Sequence, residues 1–161
     1  MRVLPQDPDP RLILHADGAA RGNPGPAGIG AILTDESGRT VATLAQGIGV
    51  ATNNQAEYRA VIEGLRLAAE RGAKSVLVRS DSRLLVEQLA GRFRVKNPTL
   101  QRLHGEAQAL ARDIGRVDFE HVPREENADA DALANEGVDA WLAGPGRDFR
   151  RPSRPPELFE E

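Results

Sequence analysis

From residue 11 onward the chain is a series of short apolar runs broken by turn residues, and after residue 52 the apolar positions shift to helical spacing. Residues 11–16 (Arg-Leu-Ile-Leu-His-Ala) read as a strand running into Asp17-Gly18 and a turn rich in Gly and Pro, which puts Asp17 at a strand end. Residues 27–34 and 40–50 are apolar or alternating runs joined by Asp35-Glu36-Ser37-Gly38, a hairpin signal, so a three-stranded antiparallel meander is expected. Residues 53–71 carry Ala60, Val61, Gly64, Leu65 and Ala68 on one helical stripe, with Gly72 placed to end the helix. A strand at 75–79 and a helix at 82–89 follow. Pro98 opens another helix to about Ile114, before a strand at 117–122 and a last helix at 127–142. The predicted order is βββαβααβα. Strands separated by helices need crossover connections and pair in parallel, so the expected fold is α/β: a five-stranded mixed sheet, meander plus two parallel strands, with helices on both faces.

Composition narrows the setting. The 161 residues suit one domain at 11–142, preceded by an N-terminal extension at 1–10. Residues 143–161, rich in Pro, Arg and Glu, read as a flexible tail that cannot bury enough apolar surface to order itself. The absence of cysteine excludes a disulfide framework and a thiolate zinc site. No secretory signal or membrane-length run occurs, which points to the cytoplasm, with a monomer as the default. A net charge of −3 does not mark a nucleic-acid binder, but its distribution is uneven. Residues 83–102 hold five cations against Glu87, whereas 116–139 hold eight acids against two arginines. A polyanion could approach the second segment only if bound cations reversed its field.

Four acids then stand out. Glu57 leads by steps of four, four and three to Val61, Leu65 and Ala68, so its carboxylate falls on the core-facing stripe, where a lone charge is costly. A capping box from Asn54 to Glu57 is the structural alternative. Asp81 could cap the following helix, Asp17 could end its strand in an Asp-Gly turn, and Asp131 could be solvated. Jointly, Asp17 and Asp81 end strands at their carboxyl edges, where α/β sheets build sites, and Glu57 begins a helix facing that sheet. Asp131 lies about 90° from the middle of the last helix's apolar stripe and Asp129 further round, so periodicity only leans toward Asp131. Oxygen ligands without His or Cys suit Mg²⁺ or Mn²⁺. Two such ions about 4 Å apart can activate a water and stabilise a leaving oxygen in phosphodiester cleavage.

The run Asp17-Gly18-Ala19-Ala20-Arg21-Gly22-Asn23-Pro24-Gly25-Pro26-Ala27-Gly28 resembles the opening signature of the type 1 ribonuclease H family. Thr52-Asn53-Asn54-Gln55-Ala56-Glu57 is similar to the family's Thr-Asn-Asn-x-x-Glu, Ser80-Asp81-Ser82 to its second aspartate, and residues 127–134 to its last helix. The resemblance implies an endonuclease that hydrolyses the RNA strand of an RNA/DNA hybrid to 3′-hydroxyl and 5′-phosphate ends. It makes Asp17, Glu57, Asp81 and Asp131 ligands for two Mg²⁺ ions, with Mn²⁺ as substitute, and the register from Asn127 selects Asp131 over Asp129. His121 matches the family's catalytic histidine, which assists proton transfer or product release. His15 and His104 lack such context and read as structural. Asn23, Asn53 and Gln55 match positions that contact the hybrid, Thr52 a phosphate contact, while Gly22 and Gly25 let the backbone come close. The family's basic helical protrusion is absent, since only residues 90–97 join two helices there. Arg92, Arg94 and Lys96 in that link are the expected smaller grip. Rival readings are a non-catalytic module that binds hybrid or duplex RNA, another acid-site nuclease of related fold, and a purely structural role for the acids.

Overall fold

At the centre of the sheet runs β1 (Leu12–Ala20), flanked by β2 (Gly25–Thr34) on one side and β4 (Ser75–Ser80) on the other; β3 (Thr40–Ala51) and β5 (Arg116–His121) form the edges. The helices are α1 (Asn53–Glu70), α2 (Arg83–Leu89), α3 (Pro98–Ile114) and α4 (Ala128–Leu142), the last entered through a 3₁₀ turn at Arg124–Asn127. This is a computed structural model, and it describes residues 10–144. The expected extension and tail lie outside the described residues except at their inner ends.

β1–β2 and β2–β3 pair antiparallel, β1–β4 and β4–β5 parallel, so the predicted mixed sheet and element order are what the chain forms. The hairpin is held by Asp35, whose Oδ1 accepts from the backbone N–H groups of Ser37 and Arg39. One correction concerns β1. It does not stop at Asp17 but continues to Ala20, because the small residues Gly18, Ala19 and Ala20 keep their ladder with Gly28 and its neighbours down to Ala20↔Ala27. Local propensity argues for a turn, and pairing with β2 overrides it.

Successive strand residues face opposite sides. Leu14, Ile29, Leu33, Val76 and Val78 face a core completed by Tyr58, Val61, Ile62 and Leu65 of α1, Leu85 and Leu89 of α2, and Ala107 and Ile114 of α3. Tyr58 donates to Gln88 Oε1 at 2.6 Å and meets the His104 ring edge-on at 6.4 Å, so His104 has the structural role expected of it. Among the described residues the other face carries α4 alone. There the sheet offers glycines: a Cβ on Gly28 would lie 2.4 Å from the Ala134 carbonyl oxygen, and one on Gly30 2.2 Å from that of Ala130. Close docking of helix on sheet is therefore written into alternate positions of β2.

Between α2 and α3 the chain needs only residues 90–97, without a protrusion. Gln88 and Gln101 pin this link through the carbonyls of Arg94 and Val95. Among the described residues no helix is long and apolar enough to cross a membrane.

Candidate active site

β1 and β4 pair in parallel only as far as His15↔Arg79 and then separate. Asp17 lies two residues beyond that point on β1, and Asp81 is the first residue after β4. Glu57 comes from α1, whose start is pressed against β1: a Cβ on Gly18 would lie 2.3 Å from the Ala56 carbonyl carbon and 2.5 Å from the Glu57 nitrogen. The carboxylates of Asp17, Glu57 and Asp81 thus converge, with oxygens all within 4.8 Å of one another. Asp131, in the first turn of α4, brings its carboxyl up to that of Asp17, and Asn135 Nδ2 donates to the Asp131 carbonyl oxygen at 3.0 Å. Asp129 turns elsewhere, into the surroundings of His15.

The capping alternatives fail on inspection. Thr52 caps α1, accepting from Gln55 N–H at 3.1 Å while Gln55 Oε1 accepts from Thr52 N–H at 3.0 Å, so neither Asn54 nor Glu57 forms the capping box. Ser82 caps α2 by accepting from Leu85 N–H, so Asp81 is not consumed there either. Both carboxylates are left to the cluster.

Burial and mutual repulsion shape its charge. Removal from water, a hydrogen bond to Asp131 and the charges of Asp81, Glu57 and Asp131 push Asp17 up to about 8 from its ordinary 3.8. Burial likewise pushes Glu57 up to about 7, opposed by the Ser82 hydroxyl and assisted by Asp81. Burial raises Asp81 as well, with the Arg124 guanidinium opposing it. His121, at the exposed end of β5, also exerts its field on Asp81.

An all-oxygen cluster that burial leaves reluctant to ionise is what a hard divalent cation would relieve. The donor set fits Mg²⁺ or Mn²⁺ and offers nothing to a soft metal.

The expected substrate contacts mostly build the rim. Asn23 Oδ1 accepts from Asn53 N–H, and Asn53 Oδ1 accepts from Ala20 N–H, each at 3.0 Å, tying the loop after β1 to the start of α1. Their side-chain NH₂ groups have no partner among the described residues. Gly22, at φ +97°, turns this loop where a side chain would be strained. In the link before α3, Arg92 is ion-paired with Glu87, whereas Arg94 and Lys96 have no acidic partner among the described residues. Sequence reasoning missed Ser82 and Arg124, which act on Glu57 and Asp81 from other segments, and Asn135, which bonds the Asp131 carbonyl oxygen one turn along α4. Gly18 stood inside a motif, but nothing local showed that α1 would fill its missing side chain.

A family model described as reverse transcriptase-like matches residues 15–137. The bifunctional protein Rv2228c of Mycobacterium tuberculosis is 49% identical over 131 residues, covering 81% of this chain and 36% of that protein. This chain therefore spans about a third of the length of that relative. Ribonuclease HI of Halobacterium salinarum is 43% identical over 137 residues, covering 85% of this chain and 69% of the relative. Among solved structures, LC11-RNase H1 in complex with RNA/DNA hybrid is similar with a TM-score of 0.78 at 43% identity, covering 81% of this chain and 99% of that one. The RNase H domain of Rv2228c, solved as a fusion with maltose binding protein, also gives 0.78 at 48% identity, covering 80% of this chain and 99% of that one. Fold, acidic cluster and these likenesses agree, and the chain belongs to the type 1 ribonuclease H family.

Proposed function

We propose that this chain is an endonuclease that hydrolyses the RNA strand of RNA/DNA hybrids, leaving 3′-hydroxyl and 5′-phosphate ends. The observation that carries the reading is the convergence of Asp17, Glu57 and Asp81 within 4.8 Å, with Asp131 beside Asp17. These four residues would hold Mg²⁺ or Mn²⁺, two ions once substrate is bound. When bound, the cations supply the positive charge that activates a water and stabilises the leaving oxygen. The protein's own contribution is positioning. Buried Asp17 is fixed by the β1–β2 ladder, Glu57 by the capped start of α1, Asp131 by α4 seated on glycines. His121, whose field reaches Asp81, stands where an imidazole could take up or release a proton at the edge of the cluster.

Hybrid recognition follows from the rim. An RNA/DNA hybrid presents 2′-hydroxyls in a wide, shallow minor groove, and the uncommitted NH₂ groups of Asn23 and Asn53 suit such acceptors. Gln55 and Thr52, engaged in the capping box, support this rim, and Gly22 keeps the backbone accessible. The likeness to a structure holding RNA/DNA hybrid supports the same substrate here.

Cleavage of an end-labelled RNA/DNA hybrid with Mg²⁺ or Mn²⁺, beside duplex DNA, duplex RNA and single strands, tests the proposal. Cuts confined to the RNA of the hybrid are expected. Folded protein that binds hybrid and leaves it intact with either metal would replace the proposal by a non-catalytic binding module.

The link before α3 gives a separate prediction. Lys96→Ala and Arg94→Ala should each reduce the slope of log K for hybrid binding against log salt by about 1, whereas Arg92→Ala should change it less, because Glu87 already neutralises that guanidinium. Filter binding across a salt series would read this directly, and an unchanged slope in the double variant would remove the grip.

A further inference from the structure

The loop after β1 reaches across to α4 through the side chain of Arg21. The backbone N–H of this residue is anchored on the Pro26 carbonyl oxygen at 2.8 Å, and its guanidinium lies along the helix. Nη1 pairs with Asp139 Oδ1 at 2.8 Å, while Nη2 donates to Asn135 Oδ1 at 3.2 Å and to the Asn135 carbonyl oxygen at 3.4 Å. Asn135 in turn donates through Nδ2 to the Asp131 carbonyl oxygen at 3.0 Å and to Asp131 Oδ1 at 3.5 Å. A continuous run of polar contacts thus leads from the substrate rim to the fourth acid.

Two features set this run apart from an ordinary helix surface. Asparagine is a poor residue inside a helix, because its amide competes for backbone groups, yet it stands in α4 one turn after Asp131. The second feature is the orientation of that amide. An amide accepts at one end and donates at the other, whereas a guanidinium only donates. Arg21 therefore holds Oδ1 toward itself and turns Nδ2 to Asp131; the flipped amide would set donor against donor and oxygen against oxygen. Aim matters at Asp131. Among the described residues Asp17, Glu57 and Asp81 bring oxygens within 4.8 Å of one another, and Asp131 stands beside that set rather than in it.

We propose that Arg21 and Asn135 are positioning residues for hydrolysis: Asn135 holds the Asp131 carboxylate aimed at the cluster, and Arg21 fixes the Asn135 amide that does so. The role rests on the nuclease reading. In that reading Asn23, two residues after Arg21, meets the hybrid, so the loop that seats the substrate also holds the acid.

The test compares wild type, Asn135→Ala, Arg21→Ala and the double variant in hybrid cleavage with Mg²⁺, together with melting curves and the side-chain amide NMR signals of Asn135. Asn135→Ala should lower kcat by about 10- to 100-fold, the scale for groups that orient a metal ligand, with KM for the hybrid unchanged. Its melting temperature should hold, because alanine favours the helix, which separates lost aim from lost fold. The double variant should be no slower than Asn135→Ala, since Arg21 acts through the amide. In Arg21→Ala the Asn135 amide protons should exchange with water faster than in the wild type. An Asn135→Ala protein with the kcat of an active wild type would overturn the inference. So would an Asn135 amide as protected in Arg21→Ala as before, or losses that multiply in the double variant. Hybrid left intact by the wild type itself would instead remove the nuclease reading, and this role with it.

Discussion

Asp17→Asn is expected to reduce hybrid cleavage by roughly 10³-fold or more, the scale on which removal of one preorganised electrostatic group acts, while leaving hybrid binding within a few-fold. Asparagine keeps the shape and one acceptor of the side chain but not the charge that holds a cation. The same variant should be more stable than the wild type without metal, and the sign follows from the raised pKa. Below pH 4 Asp17 is protonated in both folded and unfolded chains, and its contribution to stability is fully present. Between about pH 4 and 8 the unfolded chain ionises freely while the folded one resists, so the wild type loses stability as pH rises. Glu57, pushed up to about 7, adds a loss in the same direction. The advantage of Asp17→Asn should therefore be negligible at pH 4 and grow to on the order of 2–3 kcal/mol at pH 8, or about 5–10 °C in melting temperature. Added Mg²⁺ should raise the wild-type melting temperature at pH 8 and leave the variant nearly unmoved, because only binding to the folded state stabilises it. Thermal melts in chelator and in Mg²⁺ at both pH values would check this. An advantage equal at pH 4 and pH 8 would mean that Asp17 carries no ionisation strain.

How far such a site is legible in sequence depends on which residues report on their own surroundings. Glu57 is legible because it interrupts an apolar stripe, and Asp81 because it follows an apolar strand that must end at the sheet's carboxyl edge. The order of elements is legible for the same reason: periods of two and of 3.6 are local properties. Asp131 and Asp129 are harder, since both flank the stripe of α4. Only packing decides that Asp131 meets Asp17 while Asp129 turns toward His15. The true end of β1 is hidden because Gly18-Ala19-Ala20 has little strand propensity of its own, and its ladder depends on the partner strand β2 further along the chain. Ser82 beside Glu57 and Arg124 beside Asp81 are set by contacts between distant segments, which no local pattern records.

Gly30→Ala should be among the most disruptive glycine-to-alanine changes in the fold. The added Cβ would lie 2.2 Å from the Ala130 carbonyl oxygen, 2.6 Å from the Ala134 nitrogen and 2.8 Å from Leu133 Cβ. Two of these atoms are helix backbone, so no rotamer change can clear the way, and the whole of α4 must lift. Overpacking costs about 1–3 kcal/mol where side chains adjust, and a rigid neighbour places this case at or above the upper end. A fall in melting temperature of about 10 °C is expected. Activity should fall further than stability explains, because Asp131 is the next residue after Ala130 and travels with the helix away from Asp17. Gly105→Ala is the matched control. Gly105 lies within α3, and an added Cβ there would meet nothing within 4 Å, so alanine should stabilise by about 1 kcal/mol through helix propensity and leave cleavage unchanged. Melting curves and hybrid cleavage at a temperature where both variants are folded would separate the two effects. Full activity in a folded Gly30→Ala protein would show that the position of α4 does not set the site.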